Sequence, residues 1–270
     1  MTIHSINTIQ NPIRHCSKWQ HYWELLLFKT YTDLKIEAQM TYLGFLWWSL
    51  EPVLFFAIYY LVFGRILKAQ TTHFIEFLFV GVVAWRWFGP TMMRSSRSIK
   101  SETKLMREIY VSKLLFPATN VLNDGIKFTI VFLLLLLFLI FFHHQPTLLW
   151  LTIVPNFLCQ IVLIFGFSFC FSAITPFIPD FPVLVQAGMT AMMVLSGVFF
   201  DVLDAPTQWR DILQINPLAD VLINYRLPLI YSKAPQWGYM FYSLGFGVVL
   251  NIIGVLAIRK NERVFPKVCA

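Results

Sequence analysis

The chain has 270 residues, of which 57% are apolar and only 13% charged, and its mean hydropathy is +0.65. A water-soluble domain ordinarily carries about twice that charge, so the totals exclude a soluble enzyme and make the bilayer the main solvent. The formal charge of +7 would suit a nucleic-acid binder, but the Lys and Arg residues cluster beside apolar runs, as membrane topology requires.

From the N-terminus, the first forty residues mix His, Lys, Arg, Asp and Glu and hold no uncharged run of the signal-peptide kind. The N-terminus is therefore expected inside the cell. Trp19, Trp23, Leu27, Tyr31, Leu34 and Ala38 recur at spacings of four and three, on one helical face, with Lys18, Lys29 and Lys35 off it. This pattern predicts an amphipathic helix lying along the cytoplasmic leaflet, or alternatively a stripe packed on another part of the protein.

Crossing a bilayer core takes about 20 mainly apolar residues. Windows of that kind fall at residues 44–64, 74–93, 121–142, 148–176, 183–200 and 238–258. The expected fold is thus an all-α membrane protein of about six transmembrane helices: a cytoplasmic N-terminus over 1–40, a transmembrane domain over 41–260 and a cytoplasmic tail over 261–270. Glu51 interrupts the first span and Arg86 the second, so each helix needs a polar neighbour, a wet face or a route to the interface. With the N-terminus inside, fifteen Lys and Arg residues fall near span ends on the cytoplasmic face, against five on the other.

Two loops are long. The cytoplasmic one, residues 94–120, is strongly basic and predicts a short helix over 98–115. The outer one, residues 201–237, carries Pro206, Pro217, Pro228 and Pro235 and predicts short re-entrant helices dipping back toward the membrane.

The chemistry is sparse. Four scattered cysteines, with no CxxC pair, give no disulfide or zinc framework. His143 and His144 read as an outer turn, since a metal would need further ligands nearby, and no metal or other cofactor is expected. Asp180 reads as a cap for the fifth span. No phosphate-binding GxxxxGK[ST] run occurs, so any ATP is hydrolysed by a separate partner and not by this chain. Asn156, Gln160, Ser168, Ser172, Ser243, Gly247 and Asn251 read as helix-packing positions.

Four segments carry a resemblance. LKIEAQMTYLGFLWWSLEPVLFFAIYYLVFGRIL from Leu34, VGVVAWRWF at 80–88, LSGVFFDV at 195–202 and INPLADVLINYRLPLIY at 215–231 stand in an order that resembles the ABC-2 type permeases of polysaccharide export. The chain departs from that family in having Glu37, Ala38 and Gln39 where basic residues often precede the LG, and in its FPKVCA tail.

The resemblance implies a bacterial inner-membrane permease with both termini cytoplasmic, working as a homodimer with two copies of a separate ABC ATP-binding subunit. Its substrate would be a polysaccharide such as O-antigen or capsule, lipid-linked and exported from the cytoplasm. Tyr59, Tyr60, Trp85, Trp87, Phe199 and Phe200 are the aromatic candidates for the substrate channel, where ring faces hold sugars weakly. Arg86 is a candidate contact for an anionic headgroup, and Glu51, before Pro52 in the LEP element, could pair with a basic residue of a neighbouring helix. Arg97, Lys100, Lys104 and Arg107 are candidates for coupling to the ATPase. A permease for a drug or lipid, and a membrane enzyme of envelope-glycan assembly using an acid or His among Glu51, Asp124, Asp180 or His143, are the alternatives.

Overall fold

The computed structural model describes residues 18–40, 42–66, 73–108 and 111–268, and every regular element among them is helical. In chain order these are α1 (Lys18–Gln39), α2 (Leu46–Tyr59) with a π-helical continuation over Tyr60–Ile66, α3 (Phe74–Ser101) and α4 (Thr103–Glu108). Then come α5 (Leu115–Phe141), a 3₁₀ turn (Leu148–Thr152) running into α6 (Ile153–Ile174), and α7 (Phe181–Leu195). The chain closes with α8 (Thr207–Gln214), α9 (Pro217–Leu229), α10 (Trp237–Asn261) and α11 (Phe265–Val268). Cys16, Cys269, Arg14 and Lys68 lie outside the described residues.

Four stretches are long and apolar enough to cross a membrane: Leu46–Ile66, Leu115–Phe141, Leu148–Ile174 and Trp237–Asn261. They expose large apolar side chains such as Leu133, Leu137, Leu158, Ile252 and Leu256, a surface suited to lipid and not to water. The second and fifth expected spans take other forms. α3 has the length, 28 residues, but carries Glu76, Arg86, Arg94, Arg97 and Lys100. α7 is apolar but only 15 residues long, about 22 Å against a core of about 30 Å.

α3 tolerates its charges because protein surrounds it. It packs against α2, α5, α6, α7 and α9, and most of its length is buried. Trp87 is at its centre, in a triad of rings with Phe128 at 4.6 Å and Phe157 at 5.0 Å, which lie 5.8 Å from each other. It continues past the expected end of its span to Ser101 because Ile99 still has an apolar pocket to fill. That shortens the expected loop helix over 98–115 to α4 alone.

Between lipid-solvated helices the attraction comes from close packing and interhelical hydrogen bonds, since tails are as apolar as leucine. α6 and α10 supply both. A Cβ on Gly166 would lie 2.8 Å from the Gly247 carbonyl oxygen, so the backbones touch where any larger residue would separate them. Asn251 Nδ2 donates to the Val162 carbonyl at 2.7 Å, and Ser243 Oγ to that of Pro217 at 2.9 Å. Asn156 donates to Val221 at 3.0 Å and Gln160 to Ala84 at 3.0 Å, while the Tyr225 hydroxyl donates to Gln160 at 2.8 Å. The polar residues of the apolar spans are packing residues here.

α9 is buried along its whole length among α3, α6 and α10. Pro217 starts it, and the Asn216 side chain caps it by accepting from the Leu218 amide at 3.0 Å. Its Arg226 donates to the carbonyls of Phe77 at 3.3 Å, Gly197 at 2.8 Å and Val198 at 3.1 Å, and lies 3.4 Å from the Phe77 ring centroid. Gly81 makes room for it, since a Cβ there would be 2.4 Å from the guanidinium.

At the opposite, basic end, Leu26 of α1, Ile99 of α3, Met106 of α4, Leu115 of α5, Ala173 of α6 and Ile258 of α10 share one apolar cluster, closed by Phe265 of α11. α1 is fastened there by Leu26 and by Lys29, whose ammonium donates to Glu102 at 2.9 Å. Burial pulls the Lys29 pKa down, but the Glu102 hydrogen bond and the charges of Asp33 and Glu102 outweigh it and hold the ammonium above its ordinary value. Among the described residues Trp23, Leu27 and Tyr31 of the predicted stripe are exposed, while Leu34 and Ala38 are half-buried and the Trp19 side chain lies outside the described ones.

Candidate functional site

The two residues that spoiled otherwise clean spans meet. Glu51 of α2 and Arg86 of α3 form an ion pair, and the guanidinium lies 4.9 Å from the centroid of the Phe55 ring. α2 and α3 are adjacent, so each charge supplies the neighbour that the other needs.

They belong to a larger constellation. On the basic-end side of Arg86, Arg94 pairs with Asp124 of α5 and lies 3.8 Å from Glu37 of α1. Lys127, one turn along α5 from Asp124, contacts Glu37 at 2.6 Å and Asp124 at 3.7 Å, and sits 5.4 Å from the Trp48 ring centroid. Three carboxylates and three cations thus line one cavity of about 420 Å³, walled by Trp47, Trp48, Trp87 and Phe128. Their formal charges cancel, which is the condition for holding six ions against apolar helices.

The members differ in mobility. Asp124 is 5% exposed and also accepts from the Thr91 hydroxyl at 2.9 Å, so it is a fixed post. Glu37 and Glu51, 43% and 40% exposed, can swing to water. An arriving phosphate can therefore displace Glu51 from Arg86 and Glu37 from Arg94 and Lys127 while buried Asp124 stays paired with both, and the guanidiniums offer it forked donors. The ring faces of Trp47 and Trp48 beside them suit the C–H surface of a sugar, whereas Trp87 is buried against Phe128 and Phe157.

The aromatic candidates do not form one surface. The Tyr59 ring packs edge-on to Phe199 at 5.0 Å, and Phe63 stacks on Phe199 at 4.5 Å, where the π-helical stretch begins. Tyr60 stacks on Phe56 at 6.1 Å, and Phe200 belongs to a small cluster with Val202 and Ala219. Trp85 is buried near Phe88, while Trp87 is buried yet borders the charged cavity. Arg97, Lys100 and Lys104 are exposed at the basic end, on α3 and α4; the Arg107 side chain lies outside the described ones.

The four candidate enzyme residues are dispersed. Glu51 and Asp124 are in the ion-paired cavity, His143 is exposed on the turn after α5, and Asp180 is exposed before α7. Asp180 stands at the N-cap position of α7, but its side chain makes no capping bond, contrary to the sequence expectation. Sequence reading missed the roles of Glu37, Arg94, Asp124 and Lys127 in the cavity. Asp124 and Lys127 carried a usable signal, two opposite charges three residues apart inside the third apolar span.

This arrangement defines a multi-pass helical membrane protein with a charged, aromatic-walled cavity at one end. No family model matches the chain. It is 25% identical over 247 residues, 91% of its own length and 95% of theirs, to two curated O-antigen export system permease proteins RfbA of Klebsiella pneumoniae. To the O-antigen export system permease protein RfbA of Myxococcus xanthus it is 22% identical over 240 residues, 88% of this chain and 92% of that one. The resemblance carried by the sequence motifs and these end-to-end similarities point to the same kind of transport protein.

Proposed function

We propose that the chain is the transmembrane permease subunit of an ATP-driven ABC exporter that moves a lipid-linked cell-surface polysaccharide, O-antigen or a similar polymer, out of the cytoplasm across the inner membrane. The observation that carries this reading is similarity over nine-tenths of the chain to proteins named as O-antigen export permeases. The charged cavity gives it a mechanism. A lipid-linked glycan presents a phosphate-bearing headgroup, and the three cations take it while Trp47 and Trp48 receive the first sugars. Tyr59, Tyr60 and Phe199 continue the aromatic path, with Trp85, Trp87 and Phe200 supporting it from within.

The basic end faces the cytoplasm in this reading, with the N-terminal region 1–40 and the tail 261–270 on that side and the transmembrane domain over 41–260. Six crossings follow if α3, enclosed by its neighbours, and the short, largely exposed α7 both count as spans. Support comes from the cluster that gathers α1 with the ends of α3, α6 and α10 and the start of α5 at one end. α8 and α9 are the re-entrant pair of the outer face, and α1 lies in the inner interface on Trp23, Leu27 and Tyr31. Arg97, Lys100, Lys104 and Arg107 engage the ATP-binding subunit, two copies of which serve a permease homodimer.

The test is to delete the chain from its own bacterium and follow labelled polysaccharide. Polymer accumulating inside the cell, restored to the surface by the intact chain, is the expected result. Normal amounts of surface polymer in the deletion strain would refute the reading.

A further inference from the structure

At the end opposite the charged cavity, three metal-ligating side chains converge that the transport role does not use. His73 precedes α3, Glu76 lies in its first turn, and His144 follows α5. Their ligand atoms all lie within 4.8 Å of one another. Glu76 Oε1 is 3.5 Å from His73 Nδ1 and 3.4 Å from His144 Nε2.

Those separations are informative. Zinc holds imidazole nitrogen and carboxylate oxygen at about 2.0–2.2 Å in a tetrahedron, whose corners are then roughly 3.3–3.5 Å apart. Two of the three edges already have that length. The donor set, two imidazoles and one carboxylate, is one that zinc takes, with water completing the fourth position.

The backbone is shaped to bring the groups together. His73 and His143 both adopt left-handed conformations, φ 61° and 64°, which cost a non-glycine residue energy. At His143 the left-handed turn lets the His144 amide reach back to the Leu139 carbonyl at 3.1 Å, a helix-closing bond that turns His144 toward Glu76. Glu76 is itself buried and stands in the first turn of α3.

We infer that His73, Glu76 and His144 form a binding site for a divalent d-block cation, zinc foremost, which ties the start of α3 to the turn after α5. A plain hydrogen-bonded His–Glu–His cluster is the competing reading, and it binds no stoichiometric metal.

The experiment uses the full chain in detergent without any histidine tag, titrated with zinc against a chromophoric chelator. One zinc per chain is expected, with affinity at least about 10-fold lower in Glu76→Gln and in His144→Gln. His143→Asn, which keeps a residue that tolerates the left-handed turn, is expected to bind as the parent does. Cobalt(II) added to the parent chain should give the visible absorption of a four-coordinate site, and Glu76→Gln should lose it while eluting as the same species on size exclusion. No stoichiometric zinc, or equal binding by the parent and both ligand variants, would overturn the site.

Discussion

Both ends of the helix bundle bury cations among apolar side chains, and they do it by opposite means. Among the described residues Arg226 makes no ion pair; its guanidinium is held by three backbone carbonyls and the Phe77 ring, with Gly81 shaped around it. Arg86, Arg94 and Lys127 at the other end are held by buried Asp124 and by the partly exposed carboxylates of Glu37 and Glu51. Carbonyls fixed by the fold make a permanent clamp, whereas exposed carboxylates make a partner that can be exchanged. In the proposed transport reading, the first arrangement serves architecture and the second serves the substrate.

Substitutions should separate the two. The largest stability effect is expected for Arg226→Met, which leaves the carbonyls of Phe77, Gly197 and Val198 facing an apolar side chain. It should cost about 3 kcal/mol or more, read as a lowered Tm in detergent, and Arg226→Lys should not restore it because one ammonium cannot span all three acceptors. Asp124→Asn should come next, at about 2 kcal/mol, since Arg94, Lys127 and Thr91 all lose a buried anion.

The Glu51–Arg86 pair should behave differently. Both residues are partly exposed, so Glu51→Arg or Arg86→Glu alone should cost about 1 kcal/mol or less in stability. Export of labelled polymer should nevertheless fall by at least about 10-fold in each. The double exchange should recover the stability, but the export only in part, because the cation then projects from α2. Full export by the folded single variants would erase the distinction between the two ends.

The smallest effect is expected for Lys29→Ala, about 0.5 kcal/mol for a half-exposed pair. Its pKa is raised in the folded chain, so its contribution is fully present below the ordinary lysine value of about 10.4 and fades only as pH climbs through the folded value. Tm differences between Lys29→Ala and the parent should therefore be constant from neutral pH to about pH 9.

Much of the fold was legible because bilayer physics writes plainly into sequence. The spans over 121–142, 148–176 and 238–258 emerge as α5, α6 and α10 within a few residues, since lipid demands continuous apolar faces. α3 was legible as a segment but not in its length, because the packing of Ile99 that prolongs it is tertiary. Glu51 and Arg86 were visible as misfits. Glu37 stood out only as a departure from the family pattern and Arg94 only as one charge of a basic loop, and only the juxtaposition of α1, α2, α3 and α5 makes them part of one cavity. The convergence of His73, Glu76 and His144 was hidden for the same reason, being set by two helix ends about 70 residues apart in the chain.

The most direct measurement is to reconstitute the chain with its co-encoded ATP-binding protein and lipid-linked glycan, using either the active ATPase or a form that binds but does not hydrolyse ATP. Glycan crossing the membrane only with the active ATPase is the predicted result. Equal export with the hydrolysis-deficient form would contradict an ATP-driven permease.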